Sequence, residues 1–202
     1  MFTGIIRELG TVEQVARAKG LVRLSVAAPC TCARVQPLDS VAVSGVCLSV
    51  GDVRPPTMSF ELIQETQGLT TLGALRAGGQ VNVEPSLSLA DPIGGHLLLG
   101  HVDGLGSVVR RRQLAGELVL DVRVAPPLAR FIVPKGAVAV DGVSLTVGGA
   151  VRRNTFSIHL IPETLRRTTL RSLAVGDRVN VEVDYLAKLV FHLLHARNGS
   201  PR

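Results

Sequence analysis

The chain states one pattern twice. Residues 41–51 read Val-Ala-Val-Ser-Gly-Val-Cys-Leu-Ser-Val-Gly, and residues 138–148 read Val-Ala-Val-Asp-Gly-Val-Ser-Leu-Thr-Val-Gly. The match extends in both directions. Gly4 to Val12 pairs loosely with Gly100 to Val108, residues 62–66 (Leu-Ile-Gln-Glu-Thr) with 160–164 (Leu-Ile-Pro-Glu-Thr), and residues 81–84 with 179–182, both Val-Asn-Val-Glu. The offset drifts from 96 through 97 to 98, as a duplication with two single-residue insertions requires. A period of roughly 100 residues is far too long for a solenoid, so each copy is a domain.

A chain of 202 residues has room for two domains of ordinary size. Hydrophobic residues at 46% supply two cores, and charged residues at 19% argue against disorder. No apolar run approaches the ~20 residues of a membrane span. Met1-Phe2-Thr3-Gly4 does not open a secretory signal. Cys30, Cys32 and Cys47 are an odd, small set that makes no disulfide framework, so a cytoplasmic chain is expected. Cys30 and Cys32 lack the nearby partners a metal site needs, and none is expected. The net charge of +6 invites a nucleic-acid reading. Against it, aromatics are only 3%, without the stacking rings of a single-strand binder, so no nucleic-acid partner is expected.

Short stretches such as 21–26 (Leu-Val-Arg-Leu-Ser-Val) and 118–124 alternate apolar and polar residues, as half-buried strands do. Gly, Pro and Asp punctuate them at Lys19-Gly20, Gly51-Asp52, Pro55-Pro56, Gly116 and Gly176-Asp177. About six strands per copy with close turns predict an all-β architecture of two antiparallel barrels. Residues 126–131 and the stretches 70–75 and 168–173 are expected to be brief helices or turns. Residues 89–96 read as the linker. The sequence units are 1–96, 97–185 and a terminal helix with its tail, 186–202. In that helix Leu186, Leu189, Val190, Leu193 and Leu194 form one apolar stripe, with a stop expected at Asn198-Gly199-Ser200-Pro201. Such a stripe points to self-association, with packing on its own barrel as the alternative.

Met-Phe-Thr-Gly-Ile-Ile at 1–6, Gly-Gly-His at 94–96, Gly-His-Val-Asp-Gly at 100–104, Val-Asp-Gly-Val-Ser-Leu-Thr-Val at 140–147, His-Leu-Ile-Pro-Glu-Thr at 159–164, and Val-Asn-Val-Glu-Val-Asp at 179–184 with Leu-Ala-Lys at 186–188 together resemble riboflavin synthase. The resemblance covers the chain to about residue 195. It implies two six-stranded Greek-key barrels, a C-terminal helix and a homotrimer assembled through such helices. The implied reaction is a transferase dismutation of two 6,7-dimethyl-8-ribityllumazine molecules to riboflavin and 5-amino-6-ribitylaminouracil, with no metal or redox cofactor. The implied active site lies between the first barrel of one subunit and the second of its neighbour. Association with lumazine synthase is a further family expectation.

Two copies of one binding fold suit a reaction in which donor and acceptor are the same compound. Holding both in place can supply on the order of 7–11 kcal/mol of the barrier in favourable cases. Unlike roles must then come from positions where the copies differ. Cys47 aligns with Ser144, and the family motif makes both catalytic candidates: a thiol or hydroxyl can relay a proton or add to a ring carbon. His101 aligns with Ile5, and histidine suits removal of a proton from the acidic C7 methyl group. Asp184 aligns with Ser86 and is either a catalytic carboxylate or a helix cap. Lys188 would pair with it or reach substrate.

The resemblance places ligand contacts in the first copy at Gly4, Ile5, Ile6, Cys47, Leu48, Ser49, Glu61, Leu62, Ile63, Gln64, Glu65 and Thr66. Those of the second copy fall at Gly100, His101, Val102, Lys135, Ser144, Leu145, Thr146, His159, Leu160, Ile161, Pro162, Glu163 and Thr164. Aliphatic walls are expected from Ile6, Leu62, Ile63, Leu160 and Ile161, with few polar groups. His96 reads as a structural linker residue. The first copy departs from the family pattern at Gln67-Gly68-Leu69, Pro85 and Leu99. A non-catalytic lumazine- or flavin-binding protein of the same fold is the alternative. Retention of Ser144, Thr146, Glu163, Thr164 and Asp184 in the second copy favours the enzyme.

Overall fold

The computed structural model describes residues 1–18 and 20–197; Lys19 of the anticipated first turn and the helix stop expected at Asn198–Pro201 lie outside the described residues. Strands β1 (Glu8–Ala18), β2 (Leu21–Ala27), β3 (Ser40–Val43), β4 (Val46–Arg54), β5 (Thr57–Leu62) and β6 (Gln80–Pro85) close into one antiparallel barrel in the order 1-2-5-4-3-6. Strands β7 (Gly104–Leu114), β8 (Glu117–Arg123), β9 (Ala137–Val140), β10 (Val143–Arg152), β11 (Thr155–Leu160) and β12 (Arg178–Val183) repeat that order as 7-8-11-10-9-12. Closure leaves neither sheet an open edge. The architecture is the expected one.

Period-two alternation builds each barrel. Leu24, Val26, Met58 and Phe60 are buried in the first core, and Leu118, Leu120, Phe156 and Ile158 in the second. Short helices cover the barrel ends: α1 (Pro29–Cys32), α2 (Gln64–Leu69), α3 (Pro126–Ala129) and α4 (Pro162–Arg167). The stretches expected near residues 70–75 and 168–173 are single 3-10 turns, Thr71–Ala74 and Thr169–Ser172. Thr70 and Thr168 cap them, each side chain accepting an N–H from the residue two ahead.

The barrels meet about a pseudo-twofold axis. The β3–β4 and β9–β10 hairpins turn on Ser44-Gly45 (φ 45° and 81°) and Asp141-Gly142 (φ 46° and 78°), the mirror-image turn that suits twisted strands. The two turns touch backbone to backbone: a Cβ on Gly45 would lie 2.6 Å from Gly142 N, and one on Gly142 2.6 Å from Gly45 N. Two buried asparagines complete the joint. Asn82 Nδ2 donates to Asp141 O at 2.8 Å while its Oδ1 accepts from Thr169 N–H. Asn180 does the same in reverse, donating to Ser44 O at 2.8 Å and accepting from Thr71 N–H.

The cores also cross over. Ile6, ahead of β1, is buried in the second barrel's core, and Val102, ahead of β7, packs on the first. Each copy thus fills part of its partner's interior.

The terminal helix α5 (Tyr185–Arg197) turns Phe191 toward the barrel, where it meets Phe131 edge-to-face at 5.0 Å, and Lys188 pairs with Asp103 at 2.9 Å. Lys188 therefore does not pair with Asp184. The expected stripe points elsewhere: Leu186, Val190, Leu193 and Leu194 are each more than half exposed.

Candidate active site

Two short segments form a ribbon between the barrels. Phe2 N–H donates to Leu98 O at 2.8 Å, and Leu98 N–H to Phe2 O at 3.0 Å. Their side chains, with Ala42 and Ala139, make a small third core. Each segment then turns at a glycine with positive φ, Gly4 (74°) and Gly100 (75°). The Gly4 carbonyl accepts from Ser144 N–H at 2.9 Å, and the Gly100 carbonyl from Cys47 N–H at 2.8 Å. A Cβ on Gly4 would sit 2.6 Å from Ser144 Cβ, and one on Gly100 2.6 Å from Cys47 Cβ, so only glycine allows this approach.

A buried glutamate holds the other side of each segment. Glu84 accepts from Thr3 N–H (2.8 Å), Thr3 Oγ1 (2.8 Å) and Gly4 N–H (3.0 Å). Glu182 accepts from Leu99 N–H at 2.8 Å and Gly100 N–H at 3.0 Å, one oxygen each. Consecutive N–H groups aimed at one anion form a binding concavity, filled here by the chain's own carboxylate. Burial pushes both carboxyl pKa values up, and the bonds from Thr3 and Leu99 oppose that rise.

Beside Ser144 lies a cavity of about 370 Å³, within the size range of small-molecule sites. Ile5, His96, Lys135, Ser144, Leu145 and Thr146 line it, together with the backbone of Gly94, Gly95 and Gly136. His96 is not a spectator of the linker: its Nδ1 lies 2.7 Å from Ser144 Oγ, and its buried Nε2 has no partner among the described residues. Burial pushes the His96 pKa down, against the pull of the nearby Asp184 carboxylate. His96 and Ser144 thus line the cavity as a hydrogen-bonded pair, with the imidazole Nε2 buried. Lys135 adds a positive charge from a backbone position at φ 65°.

The first barrel repeats this geometry with different chemistry. Cys47 replaces Ser144, half-buried against the third core. Leu38, at φ 77°, stands where Lys135 stands in the other copy, and both donate N–H to the facing strand, to Val50 O and Val147 O. His101 takes the place of Ile5; it is exposed, and its side chain makes no hydrogen bond among the described residues.

The other sequence candidates fall into distinct places. Leu48, Leu62 and Leu160 are buried in the barrel cores, Ile6 and Val102 cross to the opposite barrel, and Ser49 and Thr146 are exposed on their strands. Ile63 and Ile161 are exposed at the barrel ends, just ahead of Gln64 and Pro162, the first residues of α2 and α4. The Leu62 and Leu160 side chains therefore fill the cores, and Ile63 and Ile161 are the aliphatic surface at those ends. In α2 and α4 the carbonyls of Thr66 and Thr164 accept from Thr70 and Thr168 hydroxyls. Glu163 is bound by Arg166 and Arg167, which hold its carboxyl below the usual range, whereas Glu65 makes no ion pair among the described residues. Asp184 Oδ1 accepts Leu186 N–H at 3.0 Å and so caps α5. His159 bonds Glu117 at 2.9 Å on the outer wall, and Glu61 pairs with Arg23 there. Glu61 belongs to an open groove of about 950 Å³ on the first barrel, flanked by Glu13, Asp52 and Arg54, which none of Cys47, His101, Ser144 or Asp184 lines.

Comparison with known proteins places the fold in a family. The lumazine-binding-domain family model matches twice, over residues 3–86 and 99–184. Riboflavin synthase of Mycobacterium tuberculosis is 42% identical over 97% of this chain and 99% of that protein. The chain belongs to the riboflavin synthase family. The Chlamydia pneumoniae member is 44% identical over 94% of this chain and 92% of its own length, and the Bacillus subtilis member 35% over 98% and 92%. Among solved structures, LumP complexed with 6,7-dimethyl-8-(1'-D-ribityl) lumazine superposes with a TM-score of 0.82 at 22% identity, covering 91% of this chain and 99% of LumP. That likeness concerns the fold alone. The chain is thus a transferase of the riboflavin synthase family, and no helix among its described residues is long and apolar enough to cross a membrane.

Proposed function

We propose that the chain converts two 6,7-dimethyl-8-ribityllumazine molecules into riboflavin and 5-amino-6-ribitylaminouracil by moving a four-carbon unit from donor to acceptor. The observation that carries this reading is the pair of like sites with unlike chemistry: Ser144, His96 and Lys135 in one barrel, Cys47 and Leu38 in the other. One ligand type entering both sites would meet different proton-handling groups. His101 acts as the base for the C7 methyl proton, Cys47 and Ser144 relay protons or add to the ring, and Asp184 works through His96.

Within one chain the Phe2–Leu98 ribbon and the third core separate the Cys47 and Ser144 positions. Two ligands that must touch are therefore better met across a subunit boundary. The exposed stripe of α5 suits a homotrimer built on that helix. Unpaired cysteines agree with a cytoplasmic setting.

Purified protein mixed with 6,7-dimethyl-8-ribityllumazine alone should generate riboflavin absorbance. Tight binding without riboflavin would instead favour a non-catalytic lumazine-binding protein. Leu193→Glu should lower assembly size by light scattering and activity together; an active monomer would refute the intersubunit site.

A further inference from the structure

We propose that Glu84 and Glu182 are crossed positioning residues, each anchored in one barrel and fixing the backbone against which the other barrel's reactive side chain rests. The path is short on both sides. Glu182 grips Leu99 N–H and Gly100 N–H, and the Gly100 carbonyl takes the N–H of Cys47 in the first barrel. Glu84 grips Thr3 and Gly4, and the Gly4 carbonyl takes the N–H of Ser144 in the second. Both glutamates sit opposite alanines of the third core, Ala42 with Glu84 and Ala139 with Glu182. His101 follows Gly100 directly, and Ile5 follows Gly4, so each carboxylate also sets the residue that flanks the opposite site.

The carboxylate is needed in its ionised, two-acceptor form. Glutamine has nearly the same shape but only one acceptor oxygen, and its amide N–H groups would oppose a backbone donor. Glu182→Gln should therefore loosen Gly100 while leaving the barrels folded, and Glu84→Gln should loosen Gly4. Neither residue lines the cavity beside Ser144, so the role is positioning. It deepens the proposed function and rests on that reading for its catalytic meaning, but the crossing itself is testable without substrate.

The test is site-resolved alkylation of the native full-length protein by iodoacetamide, read by peptide mass spectrometry. Three thiols serve as reporters: Cys30 is exposed, Cys32 is buried in the first barrel and signals unfolding, and Cys47 reports the Gly100 contact. Glu182→Gln should raise Cys47 labelling about tenfold relative to Cys30, the factor that 1.4 kcal/mol represents, with Cys32 still protected. Glu84→Gln should leave Cys47 at the wild-type rate and instead raise labelling of a Ser144→Cys reporter. Equal effects of both variants on Cys47, or none from Glu182→Gln, would overturn the proposal. If Glu182→Gln exposes Cys32, amide exchange in the wild-type protein decides instead. The N–H groups of Leu99, Gly100 and Cys47 should then open as one unit, and independent exchange of Cys47 would count against the link. Crossed labelling in the variants, together with a wild-type protein that forms no riboflavin, would refute the proposed reaction and leave the crossing intact.

Discussion

The two barrels share a strand order, a turn type and an asparagine, yet differ at the places a ligand would meet. The second has a formed cavity with a histidine bound to a serine and a lysine beside them. The first has a thiol, a leucine in place of that lysine, and an exposed histidine without a hydrogen-bond partner among the described residues. The joint differs as well: Asp141 in one turn answers Ser44 in the other. Both receive the N–H of an asparagine, Asp141 Oδ1 from Asn180 at 2.8 Å and Ser44 Oγ from Asn82 at 3.3 Å. What stayed alike holds the backbone, and what diverged touches solvent, ligand or charge.

The largest effect should come from breaking the likeness on the axis. Gly45→Ala places a methyl 2.6 Å from a backbone nitrogen that cannot withdraw, and should cost upward of about 4 kcal/mol in urea unfolding. Gly116→Ala, at the similar φ of 82° but with no atom within 4 Å, is the control and should cost about 1 kcal/mol. Similar losses from the two would mean that the close contact of the barrels contributes nothing.

The next test concerns the one charge in the joint. Burial pushes the Asp141 carboxyl from 3.8 up to about 7, with the Asn180 N–H bond pulling the other way. A raised folded pKa means that the native state binds the proton more tightly than the unfolded chain. This contribution favours folding fully below pH 3.8 and is lost as pH rises through about 7. Asp141→Asn keeps the acceptor and suits the turn, so its stability relative to wild type should rise by roughly 3–4 kcal/mol between pH 4 and 8. Parallel stability curves for the two proteins would contradict a buried acid at this turn.

Asn82→Ala and Asn180→Ala probe whether the symmetry is energetic as well as geometric. Each removes one buried and one part-buried bond to the opposite barrel and should cost about 2–3 kcal/mol. The double variant should cost less than the sum, because the first loss already loosens the joint. The smallest effect sharpens the contrast of the sites. Lys135→Leu gives the second barrel the first barrel's residue and should weaken ligand binding about fivefold, near 1 kcal/mol, with an unchanged melting temperature. An unaltered Kd would remove Lys135 from the site.

The barrels were legible because period-two alternation and turn residues are local signals, and the repeat supplied the domain count. The four short helices were harder. Three of them, α1, α3 and α4, open on a proline, but none of the four has a side-chain cap, and each spans only four to six residues. The site was legible where the copies could be compared, as at Cys47 against Ser144. His96 escaped because it lies in the linker, outside the stretches in which the two copies can be aligned. The crossing of Ile6 and Val102 into opposite cores was invisible for another reason. Both read as ordinary apolar residues at strand starts, and only the path of the ribbon decides which interior they enter. The two glutamates were seen as a repeat and not as anchors, since a buried carboxylate and an exposed one look the same in sequence.

The ribbon also bears on the order in which the protein can be finished during synthesis. When residues up to 96 have left the ribosome, every strand of the first barrel exists. Val102 has not yet arrived to complete its interior, and the N–H of Cys47 still lacks the carbonyl of Gly100. Glu84 of the first copy already holds Thr3 and Gly4, but the Phe2 backbone lacks Leu98 and the Ile6 side chain lacks its core until the second copy emerges. The duplication has therefore produced halves that mature together, with the segments around Phe2 and Leu98 waiting for each other.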